Sequence, residues 1–166
     1  VKIKRLEQLP LNEGQAETSS TLIRSLLLDG NLAEANARLG YNYTLSGKVV
    51  SGHQIGRTIG FPTANIEVEG KLIPKSGVYA AKTMSNNCWK LKQGGLSIVN
   101  IGNRPTFNGH KTTIEVHILD FEGELYGKEI SIELVASLRN EQKFSSAEEL
   151  ISQIQKDKEE ALKIRC

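Results

Sequence analysis

The stretch TTIEVHILDF, Thr112 to Phe121, alternates with a period of two. On an extended chain Ile114, Val116 and Ile118 point one way, and Glu115, His117 and Leu119 the other. EISIELVASL, Glu129 to Leu138, repeats the pattern with Ile130, Ile132, Leu134, Ala136 and Leu138 on one face. Outward from these, YTLSGKVVSG from Tyr43, GVYAAKT from Gly77 and GGLSIVNIG from Gly94 read as further strands, with CWKLK from Cys88 as a short neighbour. The segments between them, such as NRPTFNG and FEGELYG, carry the Gly, Asn and Pro of turns. Short strands at this spacing predict a mainly β protein built as a small antiparallel barrel.

Helices are expected at both ends. TSSTLIRSLLLDG has capping residues at Thr18, Ser19 and Ser20, apolar Leu22, Ile23, Leu26 and Leu27, and a stop at Gly30. NLAEANARLG follows, with Asn31 and Glu34 at capping-box spacing and Gly40 as its stop. SSAEELISQIQKDKEEALKI closes the chain, with Ser145–Glu148 or Ser146–Glu149 as a capping box. Its apolar stripe of Leu150, Ile151, Ile154, Ala161 and Leu162 is expected to pack on the barrel. The texture changes near Tyr43, which divides the chain into residues 1–42 and a barrel unit at 43–166.

The bulk numbers narrow the classes. With 166 residues, the chain can bury a core without disulfides or metals. A net charge of +2 and 5% aromatics, with no basic run, argue against nucleic acid as a partner. Two distant cysteines, Cys88 and Cys166, give neither a disulfide framework nor metal spacing, so a reducing cytoplasm is expected. No stretch approaches the roughly 20 apolar residues of a membrane span. The chain starts at Val1, as a fragment or processed chain would.

Chemistry concentrates in GRTIGFPTAN, Gly56 to Asn65. Gly56 and Gly60 permit close backbone approach, and Arg57 can add a charge-assisted contact to phosphate. Thr63 and Asn65, two apart, share a face and offer neutral oxygens that suit Mg²⁺ beside phosphate oxygens. By spacing alone, a plain turn is the better explanation of the stretch. Glu115 and His117 lie on one strand face. By pattern alone Glu115 reads first as a solvated strand carboxylate; as a general base it competes with His117, and periodicity does not choose between them. Arg104, Pro105 and Thr106 form a polar turn. Arg139, Lys143 and Phe144 are either a clasp for a planar ligand or a lead-in to the last helix. No GxxxxGK[ST], GxSxG or CxxC occurs.

The ordered series GRTIGFPTAN, GVYAA, NIGNRPTF, IEVHILDF, LYGKEI, LRNEQKF and EELISQIQKDKEEA resembles riboflavin kinase, in the form that ends the bacterial bifunctional riboflavin kinase/FAD synthetases. The resemblance runs from about Tyr43 to Ile164. SSTLIRSLLLDGNLAEANARLGY resembles the end of the preceding adenylyltransferase module and its link to the kinase. That module's nucleotide-binding histidine motif is absent from this sequence, so FAD synthesis by this chain alone is not expected.

The resemblance implies a six-stranded antiparallel Greek-key barrel with a C-terminal helix. It also implies transfer of the ATP γ-phosphate to riboflavin with Mg²⁺, giving FMN and ADP. It assigns Thr63 and Asn65 to Mg²⁺ and the phosphates, and Gly56, Arg57 and Gly60 to a flap over them. Glu115 becomes the base, and His117 a neighbour that is not. Ile118, Asp120 and Tyr126 would border the nucleotide, and Arg139 and Phe144 the flavin. Gln142 stands where the family pattern has a basic residue, with Lys143 next. A flavin-binding module without turnover, an oligonucleotide-binding barrel and a flavin oxidoreductase are the competing readings.

Overall fold

Alternation along the strands sorts side chains between the inside and the outside of a closed sheet. The structure, a computed structural model, describes residues 19–52, 60–106 and 109–164. Among the described residues there are six strands: β1 (Thr44–Val50), β2 (Ala64–Val68), β3 (Gly77–Met84), β4 (Gly95–Thr106), β5 (Gly109–Ile118) and β6 (Glu129–Asn140). They close in the order β1-β2-β5-β4-β3-β6, every pair antiparallel. Closure leaves no open edge, the feature that makes isolated sheets prone to aggregation. Leu45, Val49, Ile66, Tyr79, Val99, Ile101, Ile114, Val116, Ile130, Ile132 and Leu134 fill the inside. A buried hydroxyl pair, Ser97 Oγ to Thr83 Oγ1 at 2.8 Å, satisfies the polar atoms placed there.

Three helices flank the barrel: α1 (Ser20–Asp29), α2 (Leu32–Leu39) and α3 (Ala147–Lys163). Their ends follow the sequence signals. Ser19 and Asn31 accept from the backbone N–H groups of Leu22 and Glu34, while Gly30 and Gly40 end their helices at φ 85° and 75°. Ile23, Leu27, Leu32 and Ala35 join the same core as the strands. The Asn36 amide ties α2 to the barrel: it donates to Leu134 O at 2.9 Å and accepts from Tyr43 N at 2.8 Å. Helix α3 covers the outside of β3, β4 and β6, where Val78, Ala80, Ile98, Leu119 and Ala161 form a second apolar cluster.

Four local expectations are corrected. CWKLK is not a strand: Trp89–Leu91 form a 3₁₀ turn. Its buried residues, Cys88 and Leu91, lie three apart, which suits that turn and not a pleat. Arg104–Thr106 are not a turn, because β4 carries them into register with Lys111, His110 and Gly109. Of the stripe on α3, Leu162 is 57% exposed, and the residue buried beside Ala161 is Asp157. The cap of α3 is Ser146, which accepts from Glu149 N, but Glu149 reaches back to Ser145 and not to Ser146.

The β2–β3 connection is pinned by two phenols. Tyr43 donates to Leu72 O at 2.9 Å, and Tyr79 donates to Lys75 O. Burial pushes both phenols above their ordinary value of 10.0. A group raised in the fold stabilises it fully below its unfolded value and loses that contribution as pH rises through the folded one. Urea unfolding of Tyr79→Phe is therefore expected to show a loss of about 1–2 kcal/mol at neutral pH. Wild-type stability should fall above roughly pH 10, and less steeply in the variant.

Candidate active site

Register brings the candidate residues together. Asn65 on β2 is the direct partner of Glu115 on β5, and Glu115 is the direct partner of Asn100 on β4. The row continues around the barrel through Val50 on β1, Val78 on β3 and Arg139 on β6. Directly opposed residues share a sheet face. The neighbours of Glu115 and Asn100 in sequence, Ile114, Val116, Val99 and Ile101, are buried inside. Asn65, Glu115 and Asn100 therefore stand side by side on the outer face. Thr63, half-buried, immediately precedes β2 and continues the phase of Asn65.

Asn65 sits against Gly52. A Cβ on Gly52 would lie 1.9 Å from Asn65 Nδ2, so only glycine leaves room for the amide. On the other side of the row, a Cβ on Gly102 would meet Glu141 Oε1 at 2.8 Å, with Thr113 Oγ1 at 3.6 Å and Asn100 Nδ2 at 3.7 Å. The loop after β6 thus comes down onto the same face as Glu115.

His117, next along that face, is occupied by the segment leading into β2. Its Nδ1 lies 2.9 Å from Pro62 O, and its ring stands edge-on to Phe61 at 5.5 Å. The carbonyl can only accept, so Nδ1 carries the proton in this contact. The imidazole fixes the lead-in to Thr63 and Asn65.

An open cleft of about 470 Å³ lies at the end of the barrel where β1 and β5 end and β2 begins. Thr63, Asn65 and Ser51 line it on one side, and the loop from Phe121 to Tyr126 on another. Ile118 lies in its lining, and Tyr126 stands 64% exposed at its edge. Asp120 and Gly60 are not in this cleft. They line its neighbour together with His117 and Lys158. Asp120 has φ 53°, a conformation Asp tolerates better than most residues, and its carboxylate faces Lys158 Nζ at 3.7 Å. Gly60 has φ 84°, which a side chain would strain. Gly56 and Arg57 lie outside the described residues.

The other end of the row reaches α3. A second cleft, about 510 Å³, is lined by Gln142, Lys143, Phe144, Glu149, Gln153 and Lys156 among others. Phe144 is in the lining, whereas Arg139 is behind it, with Cζ 5.6 Å from the ring centroid. The guanidinium is gripped by Asp157: Nε to Oδ1 at 2.9 Å and Oδ2 at 3.1 Å, and Nη2 to Oδ2 at 2.9 Å. Asp157, Asn100, Gly52 and Glu141 escape the sequence reading. Asp157 is one acid in a charged helix, and Asn100 gains significance only through its register with Glu115. Among the described residues, no cluster of three or more His, Cys, Asp or Glu could hold a metal. No described helix is long and apolar enough to cross a membrane.

Comparison with known proteins converges on one family. The family described as Flavokinase, riboflavin kinase, matches residues 39–165. The bifunctional riboflavin kinase/FMN adenylyltransferase of Escherichia coli K12 is 43% identical over 145 residues, 87% of this chain and 45% of that protein. Its counterpart in Listeria monocytogenes is 47% identical over 144 residues, 86% of this chain and 44% of that protein. The chain thus spans about half the length of these curated relatives. Among solved structures, one described as a macrolide-efflux protein from Streptococcus pneumoniae superposes with a TM-score of 0.85 at 32% identity, over 94% of this chain and 50% of that one. The riboflavin kinase of Trypanosoma brucei shares the fold, with a TM-score of 0.51 at 22% identity over 74% of this chain and 79% of that one. The match to Flavokinase takes in the whole closed barrel together with α3, and on that ground this chain belongs to the riboflavin kinase family.

Proposed function

We propose that this chain transfers the γ-phosphate of ATP to the 5′-hydroxyl of riboflavin, giving FMN and ADP, with Glu115 as general base. The observation that carries this reading is the row Asn65–Glu115–Asn100. It sets the carboxylate between the β1–β2 cleft on one side and, through Gly102 and Glu141, the 141–144 loop on the other. A nucleotide in the first cleft and a flavin in the second would bring their reacting ends together over Glu115.

The chemistry asks little covalent work of the protein. Glu115 takes the proton of the ribityl hydroxyl as its oxygen bonds to the γ-phosphorus. The bond from that phosphorus to the bridging oxygen breaks, and the electron pair leaves with ADP. Positioning and charge neutralisation supply most of the acceleration. Mg²⁺, when bound, would neutralise the phosphate charge. Thr63 and Asn65 fit it, because this cation keeps waters and substrate phosphates as ligands and needs only one or two protein oxygens. The resemblance assigns Gly56, Arg57 and Gly60 to a flap over the phosphates, and of these Gly60 is among the described residues. Ile118 and Tyr126 border the nucleotide, with Asp120 around the corner in the adjoining cleft.

Residues 1–42 are read as the end of an upstream adenylyltransferase module that converts FMN to FAD in the longer protein, which would act in the cytoplasm. The relatives' names, each pairing riboflavin kinase with FMN adenylyltransferase, support that arrangement. No nucleic acid is needed as a partner.

Incubation with riboflavin and Mg–ATP should yield FMN by chromatography, and flavin binding without product would defeat the kinase reading. Glu115→Gln should lose about 10²–10⁴-fold in turnover, the worth of general-base catalysis, while still binding ATP. Near-normal FMN formation by that variant would remove Glu115 from the role.

Thr63→Ala and Asn65→Ala should weaken Mg–ATP by roughly 10–100-fold, the scale of one lost charge-assisted contact. Gly52→Ala should act in the same direction, since its methyl takes the place of the Asn65 amide. Calorimetric titration with Mg–ATP checks all three, and unchanged affinity would count against the assignment.

A further inference from the structure

Arg139 spends three of its five N–H groups inside the protein. Its Nε and Nη2 donate to Asp157, and its Nη1 donates to Asn140 O at 3.2 Å. The side chains of Arg139 and Asp157 are only 16% and 4% exposed. On the side of the cleft between α3 and the 141–144 loop, Arg139 Cζ sits over the Phe144 ring, 5.6 Å from its centroid. The same carboxylate also holds the opposite wall, because Gln153 Nε2 donates to Asp157 Oδ1 at 2.9 Å. Phe144 and Gln153 both line the cleft; Asp157 bonds Gln153 directly and reaches Phe144 by way of Arg139.

Stability alone does not call for a charged pair here. Replacing a buried ion pair with apolar residues of similar volume is often neutral or stabilising. The ground beside it is already apolar, with Val78, Ala80, Ile98, Leu119 and Ala161 packed between the barrel and α3. An apolar pair would hold strand to helix, but it would supply neither the fixed fork behind Phe144 nor the acceptor for Gln153.

We propose that Asp157 is a positioning residue for the acceptor substrate: it fixes Arg139 behind Phe144 and anchors Gln153, and so sets the width of the cleft that receives the flavin ring. This rests on the reading that riboflavin occupies that cleft, and Phe144→Ala tests the reading by itself. Asp157→Asn keeps the shape and removes the charge that locks the fork. Its affinity for riboflavin, followed by flavin fluorescence, should fall roughly tenfold, the scale of one charge-assisted contact. The KM for riboflavin should rise in parallel, while kcat and the KM for Mg–ATP stay within about twofold of wild type. Asp157→Glu, which keeps the charge, should recover part of the loss.

Thermal unfolding of each variant separates this from misfolding. If Asp157→Asn is unfolded at the assay temperature, the apolar pair Arg139→Met/Asp157→Leu replaces it, and a folded protein with weakened riboflavin binding is again expected. If Phe144→Ala weakens riboflavin binding but the Asp157 variants bind it normally, the positioning role is overturned and the cleft assignment stands. If Phe144→Ala leaves riboflavin affinity intact, the cleft assignment fails and the proposal with it. Equal damage to kcat and to the KM values of both substrates would also overturn it, as loss of structure and not of position.

Discussion

Glu115 owes its place to the interior residues on either side of it. Ile114 and Val116 are locked inside the closed barrel, so the residue between them must face outward. A slip of one residue in β5 would bury a carboxylate and expose two β-branched side chains, and closure forbids it on both neighbouring strands at once. The same restraint acts on Asn65 between Ala64 and Ile66, and on Asn100 between Val99 and Ile101. Hydrophobic packing thereby specifies the lateral order of three polar side chains that do not contribute to the core. This is a rigid way to mount chemistry, since the strands carry the site and the loops need only bring ligands to it.

The two clefts are mounted differently. The first depends on backbone and small residues: Gly52 makes way for Asn65, and the Pro62 carbonyl is fixed by His117. That suits a ligand rich in negative oxygens, which is recognised by dipoles, a cation and close approach. The second depends on a buried charge pair that locks an aromatic ring. That suits a flat, largely apolar ring, which needs a wall at a set distance more than it needs charge. On the proposed reading, the phosphate donor takes the first side and the flavin acceptor the second.

Much of this was legible in the sequence, for identifiable reasons. Strands with one inward face announce themselves by alternation, so β5 and β6 were readable from periodicity, and the helix ends from Ser19, Asn31, Gly30 and Gly40. What periodicity could not show was pairing. Asn100 looks like any polar residue in GGLSIVNIG until β4 is laid beside β5. Spacing likewise left Glu115 and His117 equivalent; the resemblance assigns the base to Glu115, and the structure adds only that His117 Nδ1 lies against Pro62 O. CWKLK misled because five residues are too few to distinguish a pleat from a tight turn. Asp157 was hidden by its company, one acid in a helix rich in Lys and Glu, where a solvated side chain is the ordinary expectation.

The position of α1 and α2 adds a constraint on how the barrel meets what precedes it. Their buried side chains share the barrel core, and Lys75 N, just ahead of β3, donates to Leu27 O at 3.0 Å. Asn36 bonds to β6 and to the start of β1, at the end of the barrel away from the cleft lined by Thr63 and Asn65. The helix pair is therefore fastened to β6 and to the β2–β3 connection. β6 also carries Arg139 and leads into the 141–144 loop, so α2 and that loop are joined through one strand.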